Sequence, residues 1–321
     1  MTSYSQNLAV IGCGYWGKNL ARNFAQLGAL KAVVDPVPET AKIQAEVNGV
    51  ASMTWEAVLA DPSIKSVAIA APAELHKKLT LEAFAAGKHV YVEKPLALSV
   101  TDGEEMRAAS EKSGLNLMVG HLLQYHPVFV ALRDKVLAGD FGKLRYVYSH
   151  RLSMGKFRIE EDAFWSLAPH DVSMILALFD EEPIEVRGGG LDFITSGISD
   201  ESRLDMVFKG GARAHVFASW LHPFKEQRLV VVGEDGMAVF DDTQAWEHKL
   251  ALYQHSVDRS GPVPTAVKAD VTYANVPQGE PLKSECAHFL DAVRNETKPF
   301  TDVEEALRVL RVLETPHLPK G

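Results

Sequence analysis

The sequence predicts an α/β protein with two domains: a doubly wound parallel sheet, then an α+β domain with a largely antiparallel, open-faced sheet. Strand-like and helix-like segments alternate up to about residue 120, which is typical of a parallel sheet with helices on both faces. Long segments of alternating apolar and polar residues then take over. We therefore expect one domain over residues 1–120 and a second over 121–321, with a C-terminal helix that can pack back on the first.

A run of glycines directly follows the first apolar strand. Gly12 allows a tight turn, Gly14 lets backbone N–H groups approach a pyrophosphate, and Gly17 lets the next helix pack closely. The N-terminus of that helix offers N–H groups and a positive dipole end to phosphates. The pattern predicts a Rossmann-type dinucleotide site. The loop residues expected to contact the cofactor are Gly12, Gly14, Tyr15, Trp16 and Gly17.

Asp35 ends the second predicted strand, about 20 residues after the glycines, where an acidic residue accepts hydrogen bonds from the adenosine ribose. A carboxylate at this place repels the 2′-phosphate of NADP, and the residues from Pro36 to Glu39 contain no arginine. The sequence therefore predicts NAD as cofactor. The alternative is that Asp35-Pro36 is only a turn signal.

The composition is ordinary for a globular protein, with 46% hydrophobic and 23% charged residues among 321. The net charge of −9 argues against nucleic acid and against an anionic membrane surface as partners. Two cysteines without a CxxC pair, and histidines without HExxH spacing, predict no metal site. The sequence shows neither a signal-peptide pattern nor an apolar run of about 18 residues, so we expect a cytoplasmic protein.

The second domain shows the alternation of strands that have one covered face. Gly210-Gly211 and Glu234-Asp235-Gly236 separate such segments, which predicts hairpins at both places. A helix over 162–179 is expected to cover part of the sheet. The proline-containing stretch 256–281 predicts a loop. Two helices, over 282–295 and 302–313, are expected after it.

Glu93, Lys94 and Pro95 follow a buried strand at the sheet edge where α/β proteins bind ligands. Pro95 restricts Lys94 to extended backbone angles and so fixes the direction of its side chain. A lysine beside a nicotinamide ring can exchange the proton of a reacting hydroxyl if its pKa falls towards neutrality. The alternative is a surface lysine at a strand end.

Several motifs together resemble the glucose–fructose oxidoreductase/inositol dehydrogenase/MocA (Gfo/Idh/MocA) family, over nearly the whole chain. They are the glycine turn at 12–17, Pro72 and His76 in Ala-Pro-Ala-Glu-Leu-His, Ala-Gly-Lys-His-Val at 86–90, Glu93-Lys94-Pro95, and Phe289-Leu290-Asp291-Ala292-Val293 with Pro299.

The resemblance implies NAD(P)-dependent oxidation or reduction of a sugar or cyclitol carbon, with Lys94 at the chemistry. It also implies a homodimer or homotetramer built through the open sheet face of the second domain. Pro72, His76 and Glu93 are expected, with Lys94, around the nicotinamide end of the cofactor, although packing is the alternative role for His76.

Many relatives carry an Asp four residues before a catalytic His, and here that position is Ser166, before His170. Asp171 is adjacent to His170, so it points elsewhere on a helix. We therefore expect Lys94 to be the base and His170 to contact a substrate hydroxyl or exchange its proton. What replaces the missing Asp at Ser166 stays open.

Further substrate contacts are expected near the family's sugar site. The candidates are Gln124, Tyr125, His126, Arg151, Lys156, Arg158 and Trp165. The three cations flank Gly155 and could hold a diphosphate, or they could form a solvated, charged strand end.

Segments 14–19, 120–127 and 165–171 are similar to the nucleotide-sugar 3-dehydrogenases of the family. The similarity implies oxidation of the C3 hydroxyl of a UDP-sugar, UDP-N-acetylglucosamine first, with hydride passing to NAD and the 3-keto product to an aminotransferase. The alternatives are UDP-N-acetylglucosaminuronate as substrate, a free sugar or inositol, or a dinucleotide-binding regulator without turnover.

Overall fold

The computed structural model describes residues 4–159 and 161–315. It divides the chain into two compact units. The first contains the residues up to Tyr125 together with Glu280–Leu310, and the second contains His126–Gly279 and the described residues from Arg311 onward. The first unit ends at Tyr125, five residues after the expected boundary, and it includes Glu280–Leu310 in addition to the N-terminal residues.

The first unit alternates strands with helices along the chain, as expected. Its elements up to Tyr125 are β1 (Leu8–Ile11), α1 (Gly17–Gln26), β2 (Leu30–Val34), α2 (Pro38–Asn48), β3 (Ala51–Ser52), α3 (Trp55–Ala60), β4 (Ser66–Ile69), α4 (His76–Ala85), β5 (His89–Glu93), α5 (Val100–Ser113) and β6 (Leu117–Gly120). The six strands pair in parallel in the order β3-β2-β1-β4-β5-β6. This order confirms the doubly wound sheet and places the residues after β1, β4 and β5 at one edge.

The second unit contains a mixed sheet of eight strands. Its elements are α6 (Pro127–Leu137), β7 (Leu144–Met154), α7 (Ala163–Phe179), β8 (Glu185–Leu191), β9 (Glu201–Val207), β10 (Arg213–Ser219), β11 (Leu221–Gly233), β12 (Met237–Asp241), β13 (Leu250–Tyr253), β14 (Ser256–Asp258), β15 (Thr265–Val267) and β16 (Thr272–Tyr273).

The strand order of this sheet is β16-β13-β12-β11-β7-β10-β9-β8. Its pairs are antiparallel except for β7 and β10, which run parallel. Gly210 and Gly211 both have positive φ angles in the turn between β9 and β10, so the hairpin predicted there is confirmed. Helix α7 packs against β7, β9 and β10 and covers one sheet face.

Two helices follow the second unit's strands: α8 (Pro281–Arg294) and α9 (Val303–Glu314), which begins in the first unit. Helix α8 packs on α1, and its buried face joins the core of the parallel sheet. Phe289 makes edge contacts with Tyr91 of β5 and Phe24 of α1, at ring-centroid distances of 5.9 and 6.5 Å. The interior of the first unit is therefore completed by residues almost 200 positions away in the chain.

Two features differ from the sequence expectations. Helix α2, which is not among the expected elements, begins at Pro38, and proline is favoured in the first turn of a helix. The stretch expected to be a loop contains the hairpin of β14 and β15, whose strands are short and exposed. In the described residues, no helix is both long and apolar enough to cross a membrane.

Candidate active site

The turn after β1 requires glycine at two places and leaves room at a third. Gly12 has a φ of +87°, and a Cβ there would lie 2.7 Å from the carbonyl oxygen of Ala70. A Cβ on Gly17 would overlap the carbonyl group of Gly12. A Cβ on Gly14 would meet no described atom within 4 Å, so the loop keeps open space on that side. The backbone is therefore shaped to admit a ligand beside Gly14.

Asp35 lies just after β2 and fixes the glycine turn. Its Oδ2 accepts a hydrogen bond from the backbone N–H of Cys13 at 2.7 Å, and its Oδ1 accepts one from Val37 at 2.9 Å. Each carboxylate oxygen can accept a second hydrogen bond. Asp35 can therefore hold the turn and still accept bonds from ribose hydroxyls.

Trp16 and Glu93 connect the glycine loop to the end of β5. The indole Nε1–H of Trp16 donates to Glu93 Oε1 at 2.6 Å. Glu93 is followed by Lys94, whose peptide bond to Pro95 is cis. The Lys94 side chain is partly buried, and its charge lowers the pKa of Glu93, although burial has the larger, opposite effect and raises that pKa overall.

Other predicted cofactor residues take different positions around this edge. The ring of His76 is buried, with Nδ1 2.8 Å from the carbonyl oxygen of Pro95 and Nε2 2.9 Å from that of Ala71. Burial lowers the pKa of this ring, while both carbonyls favour its charged form. His76 therefore connects the segment after β4 with the segment after β5. Its ring is packed in the interior and also supports the segment that carries Lys94. Pro72 and Tyr15 are exposed.

Gln124 and Tyr125 lie in the first unit, in a short 3-10 helix after β6. Gln124 is buried. The Tyr125 hydroxyl lies 3.2 Å from Thr301 Oγ1, and its ring contacts His288 and Phe300. The Tyr125 side chain is therefore engaged by the chain's own C-terminal segment.

Helix α7 carries the residues predicted for the second unit's part of the site. Asp162 caps its start by accepting a hydrogen bond from the Trp165 backbone N–H at 2.9 Å. Ser166 and His170 are four residues apart and therefore share one helix face. Ser166 is buried, whereas Trp165 and His170 are partly buried.

Arg151 is engaged within the second unit. Its Nε and Nη2 donate to the two carboxylate oxygens of Asp171 at 2.6 and 3.0 Å, and Ser149 donates to Asp171 Oδ1 at 2.6 Å. Asp171 is fully buried and Arg151 nearly so. The partner of Asp171 is therefore Arg151.

Lys156 and Arg158 lie beyond the end of β7 and are exposed. Arg158 forms an ion pair with Glu161 at 3.0 Å. The three cations predicted around Gly155 therefore have different surroundings, because the Arg151 guanidinium is nearly buried and bound to Asp171, while the other two side chains face solvent.

His126 occupies a buried position at the start of α6. Its Nδ1 accepts a hydrogen bond from the Val128 backbone N–H at 3.2 Å, and its Nε2 lies 3.4 Å from Asp242 Oδ1. The ring is stacked on Trp246. These contacts give His126 a structural role as a helix cap, and its expected contact with the sugar stays a prediction.

Sequence reasoning missed two residues next to Glu93. The Tyr91 hydroxyl lies 3.1 Å from Glu93 Oε1 and 2.9 Å from Glu285 Oε2. Two features of the sequence could have indicated these residues. A tyrosine within a buried strand needs a partner for its hydroxyl, and Glu285 interrupts the apolar face formed by Leu282, Cys286 and Phe289.

Two domain families match the chain in sequence. The oxidoreductase family's NAD-binding Rossmann fold matches residues 6–121, and the GFO/IDH/MocA C-terminal domain matches residues 129–239.

The chain belongs to the Gfo/Idh/MocA family.

Relatives of this family resemble the chain over almost its whole length. UDP-N-acetylglucosamine 3-dehydrogenase of Acidithiobacillus ferrooxidans is 28% identical over 94% of this chain and 93% of its own. The scyllo-inositol 2-dehydrogenase (NAD(+)) of Bacillus subtilis is also 28% identical, over 94% of this chain and 90% of its own. The solved structure of the Acidithiobacillus enzyme GnnA has a TM-score of 0.85 and 26% identity, covering 98% of this chain and 96% of that one.

The first unit of this Gfo/Idh/MocA protein is an NAD-binding Rossmann domain, and the protein is an NAD-dependent oxidoreductase. The fold is also that of GenD2 from gentamicin A biosynthesis, solved with NAD, at a TM-score of 0.80 and 22% identity, with coverage of 98% of this chain and 93% of that one. The residues present fit the cofactor, because Gly14 leaves space beside the loop and Asp35 keeps acceptor capacity. The described residues contain no cluster of three His, Cys, Asp or Glu side chains suited to a metal ion.

Proposed function

We propose that this enzyme oxidises the C3 hydroxyl of a UDP-linked amino sugar, UDP-N-acetylglucosamine, to the 3-keto sugar. The observation that carries the proposal is the similarity to UDP-N-acetylglucosamine 3-dehydrogenase, which extends over 94% of the chain in sequence and 98% in structure. The position of Lys94 at the C-terminal end of β5 supports it, because ligands of doubly wound sheets bind at that edge.

When bound, NAD supplies the hydride acceptor. Lys94 takes the proton of the C3 hydroxyl as general base. His170 hydrogen-bonds the same or a neighbouring hydroxyl. Ser166 has no carboxylate that could accept a proton from His170. The proton of the C3 hydroxyl is therefore transferred to Lys94.

The diphosphate of the sugar nucleotide is proposed to bind to Lys156 and Arg158, which are the exposed cations after β7. Arg151, earlier in the same segment, is held in place by its bidentate contact with Asp171. Cations that hold the diphosphate orient the sugar before the reaction and so reduce the entropic part of the barrier. Trp165, Gln124 and Tyr125 remain candidates for contacts with the sugar.

The experiment is a parallel assay of NADH formation, by absorbance, with NAD and one candidate substrate at a time. The panel contains UDP-N-acetylglucosamine, UDP-N-acetylglucosaminuronate, scyllo-inositol and myo-inositol. We expect turnover with UDP-N-acetylglucosamine. Absence of a signal with every sugar nucleotide would remove the proposal.

A free cyclitol is the second candidate substrate, because the scyllo-inositol 2-dehydrogenase has the same 28% identity over 94% of this chain as the sugar-nucleotide enzyme. This candidate needs neither Lys156 nor Arg158, so turnover of inositol that is insensitive to both residues would favour it. A pocket arginine that binds the C6 carboxylate would favour the uronate. A regulator without turnover is disfavoured because Lys94 is present in its motif.

We further propose a homodimer or homotetramer that covers the open face of the eight-stranded sheet. That face holds a concavity of about 400 Å³ whose lining includes Tyr148, Val230, Tyr253 and Tyr273. Aromatic side chains of this kind are enriched in interfaces. Light scattering coupled to size exclusion measures the oligomeric state directly.

A functional link to an aminotransferase follows from the chemistry, because a 3-keto sugar is a substrate for amination.

A further inference from the structure

A continuous row of hydrogen-bonding groups runs through the interior of the first unit to the strand end that carries Lys94. It begins at Glu285 of α8, passes Tyr91 and reaches Glu93, which also receives the indole N–H of Trp16. The successive distances between heavy atoms are 2.9, 3.1 and 2.6 Å. Glu285 and Tyr91 are fully buried.

The number of protons in this row decides its arrangement. The Tyr91 hydroxyl has one hydrogen and lies within hydrogen-bond distance of two carboxyl groups, so it can donate to only one of them. The other contact is a hydrogen bond only if that carboxyl group is protonated and donates to the tyrosine oxygen. One of Glu93 and Glu285 must therefore carry a proton for both contacts to form.

Two observations place that proton on Glu285. Glu93 Oε1 receives a donor at 2.6 Å, a short distance typical of bonds to an ionised acceptor. Glu285 Oε1 is buried, and no donor reaches it among the described residues. An ionised group in that position would leave charge on an oxygen without compensation, which is far more costly than an unpaired carbonyl.

The surrounding charges act in the same direction. Glu305 of α9 is a third carboxyl group near Glu285, and its Oε2 lies 2.5 Å from His121 Nδ1. The charge of Glu285 also acts on two further titratable groups, Tyr125 and Cys286. Burial raises the pKa of Glu285 well above its usual value, and the charges of Glu93 and Glu305 raise it further.

We propose that Glu285 is a positioning residue that retains its proton at neutral pH and donates it to Tyr91, so that Tyr91 and Trp16 both donate to a Glu93 carboxylate. The arrangement holds the glycine loop and the Lys94 strand end in one register. A Glu93 carboxylate also places a negative charge next to Lys94. The consequence for cofactor binding rests on the proposed function, whereas the location of the proton does not.

The location of the proton is tested by infrared spectroscopy of the full chain near pH 7, without ligand. The wild type should show a carboxylic-acid carbonyl band that disappears in Glu285→Gln and persists in Glu93→Gln. Glu111→Gln, on the exposed side of α5, is the matched control and should retain the band. Loss of the band in Glu93→Gln with retention in Glu285→Gln would assign the proton to Glu93 and overturn the proposal.

A second measurement needs no variant. Carbon-13 NMR of wild type labelled at the glutamate δ-carboxyl should show a resonance at the shift of a protonated acid near pH 7. If every glutamate resonance has the shift of a carboxylate, the proposal is overturned even if the variants do not fold.

The positioning role is tested by the affinity for NADH, measured by fluorescence. Glu285→Gln keeps a donor for Tyr91 and should bind NADH like the wild type, whereas Glu285→Leu should bind it about tenfold more weakly. Equal binding by both variants contradicts a positioning role. If the wild type itself does not bind NADH, the cofactor assignment fails, while the infrared result still decides the location of the proton.

Discussion

The two regions predicted to form the active site are built on different principles. At the strand edge of the first unit, backbone geometry dictates the residues, since Gly12 and Gly17 have no space for a side chain and Lys94 directly follows β5. In the segment from β7 to α7 of the second unit, side-chain pairing decides instead. Arg151 turns to Asp171, while Arg158 contacts Glu161. The fold therefore determines the residues of the first region, whereas the role of each charged residue in the second region depends on the partner that it contacts.

The largest effect is expected at Lys94, the residue of the first region that we propose to take part in the reaction. Lys94→Met should lower kcat by about 10²–10⁴-fold, because it removes the proposed general base. Binding of NADH, measured by fluorescence, should be retained, since the glycine loop and Asp35 are unchanged. Lys42→Met, on the exposed face of α2, is the control. Turnover retained in Lys94→Met would show that another group handles the proton.

The second region is tested through its buried ion pair. Asp171→Asn should lower the free energy of unfolding by about 3 kcal/mol, because Arg151 then keeps a buried charge without a full partner. Denaturant titration measures this, with Asp180→Asn at the exposed end of the same helix as control. A loss below about 1 kcal/mol would be that of a surface pair and would return Arg151 to the candidates for phosphate binding.

The buried carboxyl row predicts a pH dependence with a definite sign. The pKa of Glu285 is raised in the folded chain, so the folded chain keeps a proton that the unfolded chain releases. The contribution of Glu285 to the free energy of unfolding should therefore fall as pH rises above about 4.3, by up to about 1.4 kcal/mol per pH unit.

In Glu285→Gln this contribution is absent, so its stability relative to the wild type should increase with pH until the raised pKa is reached. Denaturant titrations at several pH values measure the difference, with Glu111→Gln as control. Parallel curves for Glu285→Gln and wild type would mean that Glu285 is ionised in the folded chain.

Selection of the cofactor should respond to Asp35. Asp35→Asn removes the charge that repels the 2′-phosphate of NADP, and it weakens the bonds to the ribose of NAD. We expect about a tenfold weaker affinity for NADH and a smaller preference over NADPH, since a hydrogen bond to a charged group contributes about 1.5–3 kcal/mol. Unchanged affinities for both cofactors would leave Asp35 with its turn contacts to Cys13 and Val37 alone.

The smallest effect is expected from the exposed cations of the second region. Lys156→Ala and Arg158→Ala should each raise KM for the sugar nucleotide about threefold with little change in kcat, because exposed charge pairs contribute up to about 1 kcal/mol. Lys268→Ala, exposed and outside this segment, is the control. An unchanged KM in the double variant would mean that the diphosphate binds elsewhere.

The first region could be predicted from sequence because its requirements are local. Glycines after a strand, an acid after the next strand and Lys94-Pro95 after a third each need only the parallel sheet to bring them to one edge. Helix α2 was not predicted because Pro36 and Pro38 together resemble a turn signal, whereas Pro38 lies in the first turn of the helix.

The contacts of Glu285 and Arg151 required knowledge of distant partners. Glu285 reaches Tyr91 across almost 200 residues, and Arg151 reaches Asp171 only because α7 folds onto β7. Helical periodicity predicts that Asp171 and His170 lie on different faces of the helix, but it does not show which residue Asp171 contacts. Pairings of this kind depend on tertiary packing, which a local pattern does not contain.

In the proposed reaction, hydride passes from C3 of the sugar to NAD. The most direct measurement uses UDP-N-acetylglucosamine with deuterium at C3, and in a parallel sample at C4, followed by mass spectrometry of the NADH formed. We expect deuterium in NADH from the C3-labelled sugar only. Label from C4, or unlabelled NADH from both samples, would contradict it.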